Sequence, residues 1–417
     1  LGFKKYMERS SKNKIKKIGI CWESEQIGGV DSYLCNLINT AAFSQIDIVL
    51  FTNKNNLGSK RLSKILKDKK INYVYFTSLN SIEANNIILK ILVNLLKPIL
   101  FFVSIFQFYF LLKNYKFDVF IGQCGGYGDF RSEMASMFAA KFLKFPVRSL
   151  VIHHACEKPI FWNTLLNIVN NLISKIVTSV ISVSKATRDT VFHKSNLLDR
   201  SGDLKNLVIH NGIPINKQNN DTKKIDNIIY KDSDDILLLG MLSRIESYKG
   251  HMDLIEAFSG LSNNIQNKLK IYLIGDGNKS EIERLKRSIE LKKLQKFFVI
   301  TGYVECDSIS IVSKLDLLIS LTRTFEGFGL SIAEAMSVGT PVLSTKVGAV
   351  TEYLNSENSK LIQSSNIKEL TSALNDFVVN KSSWDKKAEI GKKVIVQNFN
   401  SELMAKNYIN HFNQNLS

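Results

Sequence analysis

Short apolar runs alternate with amphipathic or polar stretches along this chain twice over, and that alternation leaves few folds open. In the first half the runs fall at 18–21, 46–51, 73–76, 119–122, 149–153, 180–183 and 207–210. A second series begins at 236–241 and continues through 271–274, 298–301, 315–321 and 342–344. Runs this short, separated by helix-length stretches, predict α/β architecture with parallel sheets covered by helices. Between the two series, residues 213–235 are polar and rich in Asn, Lys and Asp, the composition of an interdomain linker. The expected organisation is therefore a flexible basic lead-in over 1–17, a Rossmann-like domain over 18–212, the linker, and a second such domain over 236–400. The last segment, 401–417, has a helical pattern and could cross back onto the first domain.

Composition narrows the partners. The formal net charge of +17 calls for an anionic one: nucleic acid, a membrane surface or a phosphorylated substrate. No compact basic and aromatic nucleic-acid signature is present, so no nucleic acid is expected. Cys21, Cys35, Cys124, Cys156 and Cys306 are scattered with no C-x-x-C, as expected of reduced thiols in a cytosol. Residues 4–17 are polar and basic without an apolar centre, which is not the pattern of a signal peptide. One stretch is membrane-like: 98–112, apolar and aromatic, flanked by Lys90, Lys97, Lys113 and Lys116. Its fifteen residues would make about 22 Å of helix, short of the roughly 30 Å hydrocarbon core, so it should not span. It reads either as a buried helix or as one lying in the interface of an anionic membrane, a membrane-surface partner.

The most informative local segment is 320–340, SLTRTFEGFGLSIAEAMSVGT. A buried strand leads into a glycine-flanked loop that opens a helix, stopped by Gly339 and Pro341. The first amides of such a helix have no internal partner and favour anions, while Glu326 and Glu334 could accept from pairs of sugar hydroxyls. Phosphate on the amides and hydroxyls on the glutamates together suit a sugar nucleotide. Gly28 and Gly29 follow the first strand, where glycine permits close backbone approach. Arg244 and Lys249 lie after the first strand of the second domain, where open α/β sheets bind ligands.

With these residues in view the chain resembles glycosyltransferase family 4, whose signature has two glutamates at this spacing around Gly-Phe-Gly. The resemblance runs from about Ile18 to Phe399 and is strongest between Ile236 and Leu354. It implies a GT-B fold, two Rossmann-like domains with parallel sheets facing across a cleft. It also implies a retaining glycosyltransferase, similar to those of bacterial surface-polysaccharide, lipopolysaccharide and O-antigen assembly. The implied donor is a UDP- or GDP-sugar. The implied acceptor is a glycan hydroxyl, taken as lipid-linked because of the basic charge and the aromatic helix. By the same resemblance Glu326 contacts the transferred sugar, Glu334 holds the ribose hydroxyls, and the backbone of Phe328, Gly329 and Leu330 touches the donor. Arg244 and Lys249 would clamp the diphosphate, Gly28 and Gly29 would lie beside the donor phosphate and acceptor, and Tyr303 and Val304 would edge the nucleobase. His153 is assigned near the sugar and acceptor, with the adjacent His154 not separable from it. No cofactor and no essential metal are implied.

Asp232, Asp234 and Asp235 superficially offer an acidic metal site, but in a polar linker they read as solvated charge. No phosphate-binding Gly-x-x-x-x-Gly-Lys-Ser/Thr loop, His-Glu-x-x-His or Gly-x-Ser-x-Gly turn is present, so kinase and hydrolase readings lack parts. Two rivals stay open. A GT-B sugar-nucleotide epimerase would carry further acid and base groups, and a catalytically silent sugar-nucleotide-binding subunit would lack Arg244, Lys249 or Glu326. The expected place of work is the cytoplasm, peripherally on the inner face of the plasma membrane.

Overall fold

The computed structural model describes residues 15–79, 87–157, 162–195, 197, 205–215 and 222–416. Most of the lead-in, 1–14, lies outside the described residues, as do 216–221 of the expected linker. Two units emerge, one of residues 1–212 with 401–417 and one of 213–400.

The first unit holds β1 (Lys17–Trp22), β2 (Asp47–Asn53), β3 (Ile71–Phe76), β4 (Val119–Cys124), β5 (Val147–Ile152), β6 (Ser179–Ser182) and β7 (Lys205–Val208). They pair in parallel in the order β3-β2-β1-β4-β5-β6-β7. The central strands are buried along nearly their whole length because helices cover both faces of the sheet. Between the strands run α1 (Gly29–Ile38), α2 (Leu57–Ile65), α3 (Ile87–Leu112), α4 (Ser132–Phe142), α5 (Asn163–Ile176) and α6 (Lys185–Lys194). The aromatic core of this unit brings Phe101, Phe108 and Leu112 of α3 against Phe120 of β4 and Met134 of α4.

The second unit holds β8 (Leu237–Leu242), β9 (Leu269–Ile274), β10 (Phe298–Gly302), β11 (Leu317–Ser320), β12 (Val342–Thr345) and β13 (Lys360–Ile362). These also pair in parallel, in the order β10-β9-β8-β11-β12-β13. Its helices are α7 (Thr222–Asp226), α8 (His251–Ser259), α9 (Asn263–Gln266), α10 (Lys279–Leu291), α11 (Ser308–Val312), α12 (Leu330–Val338), α13 (Ile367–Val379) and α14 (Lys381–Asn398). The short edge strand β13 was not among the apolar runs expected from sequence. In the described part of the stretch read as a linker, Ile225 and Ile229 are buried, Lys231 pairs with Asp316 and Asp232 with Lys270. That stretch is thus built into the second unit, and Asp232 serves an ion pair there. The last helix, α15 (Ser401–Asn415), groups with the first unit, where His411 Nε2 lies 2.9 Å from Ser179 Oγ of β6.

The membrane-like stretch requires a correction. Pro98 does not start the helix but lies inside it, and α3 runs for 26 residues, about 39 Å. Lacking an N–H, Pro98 cannot serve the carbonyl of Asn94 one turn back, and the indole Nε1 of Trp162 donates to that carbonyl at 2.9 Å instead. Residues Ile91–Leu112 are long and apolar enough to cross a membrane, so shortness does not exclude spanning. Packing places one side of the helix in the core: Phe101, Ser104, Phe108 and Leu112 are buried, at the spacing of a single helical face.

Candidate functional site

In both sheets the strand order reverses once, between β1 and β4 in the first and between β8 and β11 in the second. Open α/β sheets bind ligands beyond the carboxyl ends of the strands at such a switch point. Gly28 and Gly29 lie there in the first unit and Arg244, Lys249 and Glu326 in the second, whereas His153 follows β5, one strand further on, and Tyr303 and Val304 follow the edge strand β10.

In the second unit Arg244 and Lys249 follow β8, and Glu326 follows β11. Lys249 Nζ lies 2.8 Å from Glu326 Oε2, and both side chains are mostly buried. Thr322 Oγ1 donates to the same oxygen at 3.0 Å. The Arg244 guanidinium is more exposed and sits 2.9 Å from Glu246 Oε1. One cation is therefore held by the glutamate that was read as the sugar contact, and the other reaches outward at the rim.

Backbone geometry sets the Glu326 loop. Gly348 has φ +58, and a Cβ there would come within 2.2 Å of the Glu326 carbonyl, so only glycine lets the two segments pass this closely. Ala349 N–H donates to that carbonyl at 2.9 Å. Arg323 pairs bidentately with the mostly buried Asp253 of α8, at 2.9 and 2.6 Å, and its N–H donates to the Tyr248 carbonyl at 2.7 Å. These bonds tie the loop after β11 to the turn that carries Lys249. Gly329, at φ +85, caps α12, whose first internal bond is Ala333 N–H to Gly329 O. The amides of Leu330, Ser331 and Ile332 thus form the first turn, with no preceding turn to serve. Phe328 contributes backbone only, since its ring is buried against Tyr353 and Phe399 and its carbonyl accepts from Tyr353 Oη at 2.7 Å. Glu334 is buried one turn into α12. Tyr303 and Val304 follow β10, the tyrosine exposed and the valine buried.

In the first unit Gly28 and Gly29 follow β1 and open α1, fixed by Asp31 Oδ1, which accepts from Gly28 N–H at 2.6 Å. Gly28 is extended, at φ −171, and a Cβ on it would meet nothing within 4 Å. Gly125, just after the neighbouring β4, likewise has nothing within 4 Å of an added Cβ. His153 follows β5, half-buried, with its N–H on the Cys124 carbonyl and its ring Nε2 2.7 Å from Gln123 Oε1. Burial pulls this imidazole down to about 3, so it is neutral at physiological pH. Beneath this edge Glu133 of α4 is fully buried and accepts from Glu23 N–H at 2.9 Å. Burial, assisted by the Glu23 carboxylate and opposed by Arg131, raises it to about 7.

Sequence reasoning missed Thr322, the Arg323–Asp253 clamp, Gln123, Gly125 and Glu133. Thr322 and Arg323 stood inside the quoted loop, but the partners that give them a task come from other elements. Among the described residues no group of three or more His, Cys, Asp or Glu is placed to hold a metal ion.

Residues 221–396 match the family model described as glycosyl transferases group 1. The chain is 33% identical over 151 residues to the poly(glycerol-phosphate) alpha-glucosyltransferase of Bacillus subtilis strain 168, a match covering 36% of this chain and only 22% of that relative. It is 22% identical over 241 residues to the capsular polysaccharide biosynthesis glycosyltransferase CapM of Staphylococcus aureus, covering 58% of this chain and 62% of the other. Among solved structures, Anabaena HepE in complex with UDP and glucose aligns over 96% of this chain and 100% of its own, with TM-score 0.74 and 18% identity. That likeness shows the fold alone. The matched segment takes in β8 through most of α14 and with them Arg244, Lys249, Glu326 and Glu334, so the second unit is similar to group 1 glycosyl transferases, and the chain as a whole has the fold of two parallel α/β sheets seen in GT-B structures.

Proposed function

We propose that this protein is a retaining glycosyltransferase of family 4 that moves a hexose or related sugar from a UDP- or GDP-sugar to a hydroxyl of a lipid-linked glycan in bacterial polysaccharide assembly. The observation that carries the reading is the Lys249–Glu326–Thr322 cluster across the β8/β11 switch point, beside Arg244 and the first turn of α12. Cations fixed beside a helix N-terminus suit a diphosphate whose negative charge grows as the sugar departs, and stabilisation of developing charge is the larger part of such catalysis. Glu326, held by Lys249 and Thr322, presents its carboxylate to sugar hydroxyls. Glu334 takes the ribose, and Tyr303 and Val304 the base. In the first unit Gly28 leaves space for a ligand beside Gly29, and a neutral His153 can exchange hydrogen bonds with a sugar hydroxyl without bringing charge to it. Neither cofactor nor essential metal takes part. Lipopolysaccharide or O-antigen synthesis on the cytoplasmic face of the plasma membrane is the setting this reading favours.

The test is nucleotide release from a panel of UDP- and GDP-sugars, with and without membrane lipid extract, followed by NMR of the product anomer. The reading expects acceptor-dependent release of nucleoside diphosphate and a product with the donor's anomeric configuration. Interconversion of the sugar nucleotide without an acceptor would make the protein an epimerase. Binding without turnover would make it a silent subunit, and an inverted product would remove retention.

A further inference from the structure

The least expected surface of the molecule is the outward side of α3. Opposite the buried stripe of Phe101, Ser104, Phe108 and Leu112 runs a second stripe of Leu95, Ile99, Phe102, Phe106 and Phe110, of which Ile99, Phe106 and Phe110 are 60%, 67% and 61% exposed. Soluble monomers rarely leave so continuous an apolar strip uncovered. α5, on the same side of the sheet, adds exposed Ile168 and Leu172, and the Trp162 indole at its start is bonded to the Asn94 carbonyl of α3. The two helices are thus joined where their apolar faces begin.

At the carboxyl ends of these helices the exposed charge has one sign, while nearer the start of α3 Lys97 is already paired with Asp129. α3, α4 and α5 are followed by or end in the exposed lysines Lys113, Lys116, Lys141, Lys144 and Lys175, gathered at one end of the sheet because in a parallel fold all three helices run the same way. Neither α3 nor α5 contains an Asp or Glu. In either relative direction a second copy of this face offers these lysines no carboxylate from α3 or α5 and leaves them unmatched, so a second copy is a poor occupant. An apolar strip bordered by cations complements an anionic lipid surface.

We propose that the outward faces of α3 and α5 form a docking surface for an anionic bilayer, with α3 lying in the plane of the interface. Its length would permit crossing, but a crossing helix would have to withdraw Phe101, Phe108 and Leu112 from the core of the first unit. The inference deepens the reading of a lipid-linked acceptor, yet its test involves no sugar, so the two can fail separately.

The experiment is co-sedimentation of the full chain with vesicles of phosphatidylglycerol and phosphatidylcholine, against phosphatidylcholine alone. Wild type should sediment with the anionic vesicles, be released by about 0.5 M salt, which shortens screening to a few ångströms, and be extracted by alkaline carbonate. The pair Phe106→Ser with Phe110→Ser should weaken binding roughly tenfold or more, and Ile168→Ser with Leu172→Ser by a smaller factor, since each removes apolar area from the lipid. Thermal midpoints near wild type would show that these exposed positions leave the fold intact. Phe108 is unsuitable for such a test, because it is fully buried against Phe76. Wild type left in the supernatant, variants that bind like wild type, resistance to carbonate extraction, or a dimer dissolved by the Phe106 and Phe110 changes would each overturn the proposal.

Discussion

At the switch point of the second sheet, Lys249 and Glu326 meet from the loops after β8 and β11, braced by Thr322, the Arg323–Asp253 clamp and the close passage at Gly348. At the matching point of the first sheet, Gly28 and Gly125 face open space and His153 is neutral against Gln123. The topology is shared and the chemistry is not. A charged cluster facing a ligand must be cross-braced, because a displaced buried charge is costly; in the first unit the buried carboxyl groups, Asp31 paired with Arg61 and Glu133 on the Glu23 N–H, hold the backbone around Gly28 and leave the space beside it open. On the proposed reading, this difference would give anion handling to the second unit and contact with uncharged hydroxyls to the first.

The sharpest way to break this comparison is to remove a cation. Lys249→Ala should lower turnover at saturating donor by roughly 100-fold or more, and Arg244→Ala by a similar or smaller factor, since both would stabilise charge on the departing diphosphate. Steady-state kinetics near wild type in both variants would take the diphosphate away from this switch point.

Glycine replacements separate braced from open. Gly348→Ala should cost about 3 kcal/mol in urea unfolding, because the left-handed backbone and the Glu326 carbonyl both reject a Cβ. Gly125→Ala should fall within about 0.5 kcal/mol, as nothing lies within 4 Å of the added carbon. Equal losses at the two positions would mean that the first edge is as tightly built as the second.

Proton linkage should differ too. Glu133 is raised to about 7 in the folded chain, so the native state holds that proton more tightly than the unfolded one. The associated stability is present below the ordinary carboxyl range and is lost as pH rises through about 7. Glu133→Gln stays neutral and should gain relative to wild type on going from pH 5 to pH 8, on the order of 2–3 kcal/mol. A relative stability that does not change with pH would place a charge-stabilising partner at Glu133. His153, depressed to about 3, works in the opposite direction: its neutral form supports the fold above the ordinary histidine range, and that support fades as pH falls toward 3.

The smallest expected effect is that of chelation. Excess EDTA should change the transfer rate by less than about twofold, since the proposed charge stabilisation comes from Arg244, Lys249 and helix amides. Loss of activity restored by manganese or magnesium would reopen the donor site.

Much of this was legible in the chain because it is local. Strand-loop-helix passages with glycine at the bend mark where Gly28, Lys249 and Glu326 lie, since side-chain period and turn chemistry act over a few residues. The pairing of Lys249 with Glu326 was not legible. It depends on β8 lying beside β11, which is settled by crossover connections spanning some 70 residues or more, and the same holds for Arg323 with Asp253; His153 meets Gln123 through the shorter crossover from β4 to β5.

The membrane-like segment shows where local reading stops. Composition alone shows 98–112 to be apolar, aromatic and set among lysines. It could not tell Phe108, which is core, from Phe106 and Phe110, which face outward, because all three share one composition and only the sheet beneath selects the buried stripe. Nor could it carry the helix back past Pro98, since proline ends most helices at the residue before it. The tertiary structure decided that point through Trp162, remote in sequence, whose indole satisfies the Asn94 carbonyl that proline leaves without an N–H.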